Sequence, residues 1–193
     1  MSATTETLDP RRFRDTMGLF ATGVAVVATL VDDEVLAMTA NAVSAVSLDP
    51  MLVLFCPGKK TRFAQSLGQS LATLGGFSIN FLRDDQQALS TYFAGSWKEP
   101  VAPPFRFVPS TCAVRLEGCL ASIDCEPELV KEMGDHWLVV GRVRSLHQGI
   151  PPQRPLLFFN GTYRHVDFTE CEPAPDLANA HDEPAHIFYD HDG

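Results

Sequence analysis

The chain has 193 residues and a mass of 21.2 kDa, enough to bury one core and a ligand pocket without disulfides or metal ions. Its net charge of -9 argues against nucleic acid or an anionic membrane as a partner, although eight acidic residues follow Arg164 and leave the preceding body near neutrality. The five cysteines form no C-x-x-C pair, so neither a disulfide framework nor a zinc site is indicated.

The first half of the chain predicts one helix followed by four strands. Asp9 suits the N-cap of a helix that has Pro10 at its first position and ends near Gly23, and its apolar stripe comprises Phe13, Met17 and Phe20. Runs of apolar and β-branched residues predict strands at 24–31, 35–38, 42–47 and 51–55, with turns at 32–34 and 49–50. Four strands are therefore packed into a short stretch of chain.

The second half predicts two short helices and four further β segments. Thr61 suits the cap of a helix at 61–67, and Asp84 suits the cap of a helix at 84–93. The β segments are 76–81, 113–126, 136–147 and 156–166, and the Pro-rich stretch 95–109 is typical of a surface loop. Many short strands with few helices predict a mostly β fold closed into a barrel, because closure removes the exposed edges of an open sheet.

The predicted organisation is one domain at 10–166, preceded by an N-terminal extension at 1–9 and followed by an acidic tail at 167–193. The extension lacks the basic and apolar regions of a secretory signal, and no segment reaches the roughly 18 apolar residues of a membrane span. We therefore expect a cytoplasmic protein with reduced, mostly buried thiols. The three tail histidines, His181, His186 and His191, are spaced so that neither a helix nor a strand aligns them, which favours a disordered tail. The alternative is that Ile187 to Tyr189 anchor it.

A segment of small side chains precedes a basic turn. Small and hydroxyl residues dominate positions 38–47, and one short turn then contains Gly58, Lys59, Lys60 and Arg62. Small side chains let a flat ring lie against backbone amides, while a turn of N–H groups and cations can hold a phosphate. Together they favour a nucleotide-type cofactor site. The alternative is a β-hairpin with a solvated basic turn.

His136 is a candidate for contact with a substrate. It follows the Gly134–Asp135 turn and opens an apolar strand, so it can reach a pocket at the strand end, and the alternative is a structural histidine. No His, Cys or carboxylate stands at metal-ligand spacing from it, so no metal site is expected. The sequence has neither a Gly-x-Ser-x-Gly elbow nor a G-x-G-x-x-G fingerprint, which weakens serine hydrolase and Rossmann dehydrogenase interpretations.

Several short motifs follow one another along most of the chain. They include Thr22-Gly23-Val24, Thr39-Ala40-Asn41, Ser47-Leu48-Asp49-Pro50, Phe93-Ala94-Gly95, Leu116-Glu117-Gly118, Gly134-Asp135-His136 and Gly161-Thr162-Tyr163-Arg164. Their order over residues 10 to 166 resembles the short-chain flavin reductases, which supply reduced flavin to two-component monooxygenases. The resemblance implies a split β-barrel that forms a homodimer with each flavin site near the subunit interface. Departures from the family pattern are Ala37, Met51 and Asn160.

The resemblance also implies the residues of a flavin and dinucleotide site. The flavin ring would lie against Met38, Thr39, Ala40, Asn41, Ala42, Ser44 and Ser47, with a role in the following turn as the alternative for Ser47. The sugar-phosphate chain would run toward Cys56, Pro57, Gly58, Lys59, Lys60, Thr61, Arg62 and Phe63. The dinucleotide would meet Gly134, Asp135 and His136, with Tyr163 and Arg164 from a neighbouring strand. Because His136 is far from the basic turn in the sequence, its loss is expected to spare flavin affinity.

These assignments imply an NAD(P)H-dependent reductase of free flavin that supplies reduced flavin to a separate oxygenase, with FMN or FAD and NADH or NADPH as alternatives. Donors near flavin N1 favour its reduction, and the protein orients the ring for hydride transfer. One alternative function is a flavin-binding carrier or sensor that holds FMN tightly and has no reductase turnover. Another is a related barrel enzyme that acts on a different substrate with bound flavin.

Overall fold

The computed structural model describes residues 8–66, 75–150 and 154–166, and this part of the chain is mostly β, as predicted. The helices are α1 (Pro10–Gly18), α2 (Arg62–Ser66) and α3 (Gln87–Phe93), with a 3-10 turn (Asp84–Gln86) before α3. The strands are β1 (Thr22–Gly23), β2 (Ala25–Val31), β3 (Glu34–Ala40), β4 (Val43–Leu48), β5 (Met51–Phe55), β6 (Phe77–Phe81), β7 (Phe107–Pro109), β8 (Val114–Leu116), β9 (Ala121–Met133), β10 (His136–Gln148), β11 (Leu157–Phe159) and β12 (Thr162–Arg164). The predicted tail at 167–193 and most of the predicted extension lie outside the described residues.

Seven strands form one antiparallel sheet in the order β3-β2-β6-β9-β10-β5-β4. β3 and β4 are its outermost strands, yet only Asn41 and Ala42 separate them in the sequence. The sheet must therefore curve until its two outer strands approach each other, and no ladder joins them in the described residues. The result is the predicted barrel, split between β3 and β4.

The strand β2 explains why the core has two parts. Side chains of a strand alternate between faces. Accordingly, Ala25 and Val27 pack into a buried cluster with Phe55 and Phe77, whereas Val24 and Val26 pack into a second cluster on the other side, which comprises Leu82, Leu89, Leu116, Cys119 and Leu156. Apolar surface is thus buried on both faces of β2, and this accounts for the unbroken apolar run that predicted the strand.

The first helix is shorter than predicted. Asp9 caps it as expected, because its carboxylate accepts a hydrogen bond from the Arg11 N–H at 3.0 Å. The helix ends at Gly18 instead of near Gly23, since the Gly18 carbonyl accepts from the Asn160 N–H at 2.7 Å and residues 22–23 pair with β11 as β1. The apolar stripe of Phe13, Met17 and Phe20 is exposed.

The predicted β segment at 113–126 begins within one residue of β8, but it is not continuous and its predicted end is too early. Gly118 has a φ of 70°, which breaks the segment into β8 and β9. Beyond Pro127, β9 continues to Met133, and it pairs with β10 across a register irregularity at Val140 and Gly141. Pro127 lies opposite Gly141 at this irregularity, where a strand tolerates the absence of an N–H.

Smaller differences follow from local hydrogen bonding. Thr61 caps α2 as predicted, since its hydroxyl accepts from the Ala64 N–H at 3.2 Å. Asp84 instead opens a 3-10 turn with Arg83 in the N-cap position, and the Arg83 N–H donates to Gln86 Oε1 at 2.9 Å. The segment predicted as one strand at 156–166 is the hairpin of β11 and β12, and β7 lies in the predicted loop at 95–109. No helix in the described part of the chain combines the length and apolar character that a transmembrane span needs.

Candidate functional site

The basic turn and the Gly134–His136 motif form one cleft. They are separated by about 75 residues in the sequence, but Gly58 and His136 form an antiparallel bridge. The Lys59 N–H donates to the Asp135 carbonyl at 3.0 Å, and the Trp137 N–H donates to the Pro57 carbonyl at 2.9 Å. An open cleft of about 450 Å³ results, lined by Gly58, Lys59, Lys60, Thr61, Asp135 and His136.

The His136 ring is held by its neighbour and faces the turn. Its Nδ1 lies 2.7 Å from Asp135 Oδ1, and because a carboxylate only accepts, Nδ1–H is the donor. This hydrogen bond lowers the pKa of the Asp135 carboxyl below its usual range. A Cβ added to Gly58 would lie 3.5 Å from His136 Nε2, so this nitrogen is next to the turn. His136 is therefore next to the basic turn in space despite their separation in the sequence, and its loss is no longer expected to spare flavin affinity.

The three cations of the turn have different surroundings. Lys59 forms an ion pair with Glu132, donates to the Gly134 carbonyl at 2.6 Å and lies 5.6 Å from the centroid of the Trp137 ring. Lys60 and Arg62 are exposed, and their side chains have no ion-pair partner among the described residues. Two cations of the turn are thus available to an anion, while the third is already neutralised.

Other residues predicted beside the turn contribute mainly backbone. Pro57 and Phe63 are buried, and the Phe63 ring packs edge-on against Phe55 in the core. Cys56 is half-buried, and burial raises the pKa of its thiol. The Thr61 hydroxyl donates to the Gly58 carbonyl at 2.8 Å, which closes the turn. A ligand in the cleft would therefore meet Gly58, Lys60 and Thr61 first.

The segment predicted to meet the flavin ring runs along the split of the barrel. Met38 and Ala40 are buried and face the core, whereas Asn41, Ala42 and Ser44 are exposed and Ser47 is half-exposed. The Cys56 N–H donates to the Ala42 carbonyl at 3.2 Å, so this segment adjoins the residues that lead into the basic turn. Exposed small residues beside a cationic turn fit a flat ring that has a phosphate at one end.

Tyr163 and Arg164 are not on a strand beside His136, which corrects the expectation. They belong to β12 in the small sheet, whereas the neighbours of β10 are β9 and β5. The Tyr163 hydroxyl instead forms a 2.8 Å hydrogen bond with Ser90 Oγ, and the Ser90 carbonyl accepts from Thr39 Oγ1 at 2.7 Å. Tyr163 is thereby linked to the predicted ring segment, whereas Arg164 is exposed.

Sequence reasoning missed Glu132, Trp137 and Ser90. The two-residue turn at Gly134 and Asp135 was the available indication for the first two, because a hairpin closed there places Glu132 directly opposite Trp137. This pairing was not predicted, because Pro127 suggested that the strand before the turn ends earlier. Nothing near Ser90 in the sequence indicates its contacts with Thr39 and Tyr163.

Comparison with known proteins gives a consistent assignment. Residues 17–167 match the family model described as flavin reductase like domain. The reductase subunit HsaB of a flavin-dependent monooxygenase from Rhodococcus jostii (strain RHA1) is 37% identical over 180 residues, which cover 88% of this chain and 85% of that protein. The flavin reductase resemblance drawn from the motifs is confirmed.

Solved structures agree in fold. A flavin reductase in its native state has a TM-score of 0.73 and 38% identity, and the match covers 83% of this chain and 99% of that one. An NADH:FAD oxidoreductase from Streptomyces globisporus C-1027, in complex with NAD and FAD fragments, has a TM-score of 0.72 and 29% identity over 86% of this chain and 99% of that one. The chain belongs to the flavin reductase like domain family, and its barrel is the split barrel of those reductases.

Proposed function

We propose that this protein transfers hydride from NADH or NADPH to FMN or FAD and that the reduced flavin leaves for a separate oxygenase. The family assignment and the reductase components among its relatives support the activity. The observation that supports this location for the activity is the bridge between Gly58 and His136, which brings a basic turn and a histidine to one cleft.

The basic turn is the proposed flavin phosphate site. Lys60 and Arg62 supply charge, and Thr61 adds a hydroxyl next to them. Phosphate oxygens accept charge-assisted hydrogen bonds from such groups, which are stronger than bonds between neutral groups. The flavin ring would then extend over Asn41, Ala42 and Ser44, whose short side chains leave the backbone accessible.

His136 is the proposed contact for the dinucleotide. Bound flavin would supply an acceptor for hydride from the nicotinamide, and the transfer requires the two reacting atoms to be held at about 3 to 3.5 Å. The hydrogen bond to Asp135 fixes the His136 ring, which leaves Nε2 to bind and orient a substrate group. His136 thus serves by positioning, without needing to exchange a proton.

We further propose a cytoplasmic homodimer. The four cysteines in the described residues are free thiols, as is usual in the cytoplasm. The β4–β5 hairpin exposes Val46, Leu48 and Met51 by 42%, 57% and 50%, and adjacent exposed apolar side chains are typical of a protein interface. A light-scattering mass of one chain would contradict the dimer.

Turnover with excess flavin tests the function. The purified protein is mixed with NADH or NADPH and a large molar excess of FMN or FAD, first without oxygen, and flavin absorbance is followed. A reductase reduces many equivalents of free flavin per chain, whereas a carrier or sensor is reduced once. Reduction limited to one equivalent with every donor and flavin would contradict the proposed function.

A further inference from the structure

Lys59 occupies a different position from the other two cations of the basic turn. Its side chain reaches from the turn after β5, passes the Trp137 ring on β10 and ends at Glu132 on β9. In the sheet, β10 lies between β5 and β9. One side chain therefore connects three successive strands at the edge of the cleft.

The ammonium group of Lys59 already has polar partners. It has three N–H donors, of which one reaches the Glu132 carboxylate and another reaches the Gly134 carbonyl at 2.6 Å. The Trp137 ring, whose centroid is 5.6 Å away, adds a favourable cation–π contact. The side chain is 28% exposed, so a phosphate would have to replace contacts that are partly shielded from water.

The direction of these contacts also separates Lys59 from the cleft histidine. Glu132 and Trp137 are directly opposite each other in the β9–β10 ladder, so their side chains share a face. Successive residues of a strand point to opposite faces, and His136 therefore faces away from Trp137. The contacts of Lys59 hold the hairpin from the side opposite to His136.

We propose that Lys59 is a positioning residue and not a phosphate ligand: together with Glu132 it latches the basic turn to the β9–β10 hairpin. Two backbone hydrogen bonds, Lys59 N–H to Asp135 and Trp137 N–H to Pro57, already join these segments. The latch adds a side-chain connection at the same place and so fixes Lys60 and Thr61 relative to His136. This inference rests on the proposed function for its kinetic consequences, but the latch itself exists without ligand.

The sign of one mutational effect distinguishes the two roles. If Lys59 bound phosphate, Glu132 would compete with the ligand, and Glu132→Gln would leave FMN affinity unchanged or increase it. If Lys59 is a latch, both Glu132→Gln and Lys59→Met loosen the basic turn and weaken the binding of FMN. Methionine keeps an unbranched apolar stem over Trp137 and removes only the charge and its hydrogen bonds.

The experiment measures the FMN dissociation constant and the NADH KM for both single variants and the double variant. We expect each single variant to raise both quantities by about threefold to tenfold, as for a partly exposed, hydrogen-bonded ion pair. The double variant should have an FMN dissociation constant and an NADH KM no higher than those of the more impaired single variant, because both substitutions remove the same interaction. Lys59→Arg, which can still reach Glu132 and Gly134, should restore most of the loss, and Lys131→Met is the control with wild-type values.

Hydrogen exchange in the ligand-free protein provides a readout independent of flavin. Both latch variants should accelerate exchange of the Lys59 and Trp137 amides, whereas Lys131→Met should not. Unchanged amide exchange in Glu132→Gln, or FMN affinity of that variant that is unchanged or increased, would overturn the latch. If the wild type neither binds flavin nor oxidises NADH, the proposed function fails while the exchange rates still decide the latch.

Discussion

The barrel core around Phe77 and the cleft between Gly58 and His136 are held together by different contacts. Phe77 is fully buried, and the centroid of its ring lies 5.1 Å from the centroid of the Phe55 ring. The His136 side chain is 49% exposed, and that part of the molecule depends on polar contacts between distant segments. The core should therefore govern stability, and the cleft should govern binding and turnover with little effect on unfolding.

The largest expected effect is on the core side of this comparison. Phe77→Ala removes a ring that packs so closely on β10 that a Cβ at Gly141 would lie 2.4 Å from it. We expect a loss of about 3–5 kcal/mol in the free energy of unfolding, measured by urea denaturation. Phe20→Ala is the matched control, because Phe20 is 70% exposed and should change stability by about 0.5 kcal/mol or less.

The second measurement on Phe77→Ala is its affinity for FMN. The fraction of Phe77→Ala that remains folded should bind FMN almost as the wild type does, since the ring is not part of the cleft lining. A small stability loss with a large loss of affinity would contradict the proposed division between core and cleft.

The second largest effect is on the cleft side of the comparison, where a substitution should change kinetics more than stability. His136→Ala should lower kcat/KM for NADH by about tenfold to hundredfold, because poor orientation of the dinucleotide lengthens the distance for hydride transfer. FMN affinity should fall as well, by a smaller factor, since His136 Nε2 adjoins Gly58. The unfolding free energy should stay close to that of wild type.

His147→Ala is the control for that substitution. His147 is an exposed histidine on the same strand, paired with Ser122 and away from the cleft lining. Steady-state kinetics and urea denaturation of both variants check the prediction. Loss of stability in His136→Ala with unaltered NADH kinetics would show that His136 is a structural histidine.

The smallest expected effect concerns a hydrogen bond that lies outside both regions, between α3 and β12. Tyr163→Phe removes the hydroxyl that bonds to the buried Ser90 and should lower the unfolding free energy by about 0.5–1.5 kcal/mol. Tyr92→Phe is the control, because no hydrogen bond of the Tyr92 hydroxyl is found in the described residues. Denaturation curves that are equal for the two variants would show that the Tyr163 hydroxyl contributes nothing.

Much of the barrel could be predicted because its determinants are local. The apolar run of β2 and the capping residues Asp9 and Thr61 specify their elements within a few positions. Pro127 is the counterexample: it argues against a strand on its own, and only the irregular pairing with Gly141 in the folded sheet makes it compatible with β9.

The cleft could be predicted only in parts. The sequence indicates a basic turn and a histidine at a strand end, but it does not indicate that Gly58 and His136 are adjacent, since that contact depends on the pairing of β10 with β5. The same holds for Lys59 and Glu132, which are 73 residues apart and have no motif in common. Residue type suggested that all three cations bind phosphate, whereas tertiary contacts separate one of them from the others.

The central claim, that the cleft receives the flavin phosphate, is tested most directly by comparing FMN with riboflavin. Dissociation constants for both are measured for wild type and for the double variant Lys60→Ala/Arg62→Ala. We expect FMN binding to weaken by about 1.5–3 kcal/mol, because charge-assisted hydrogen bonds to phosphate are lost, while riboflavin binding changes by about 0.5 kcal/mol or less. Equal losses for the two flavins would contradict the phosphate site.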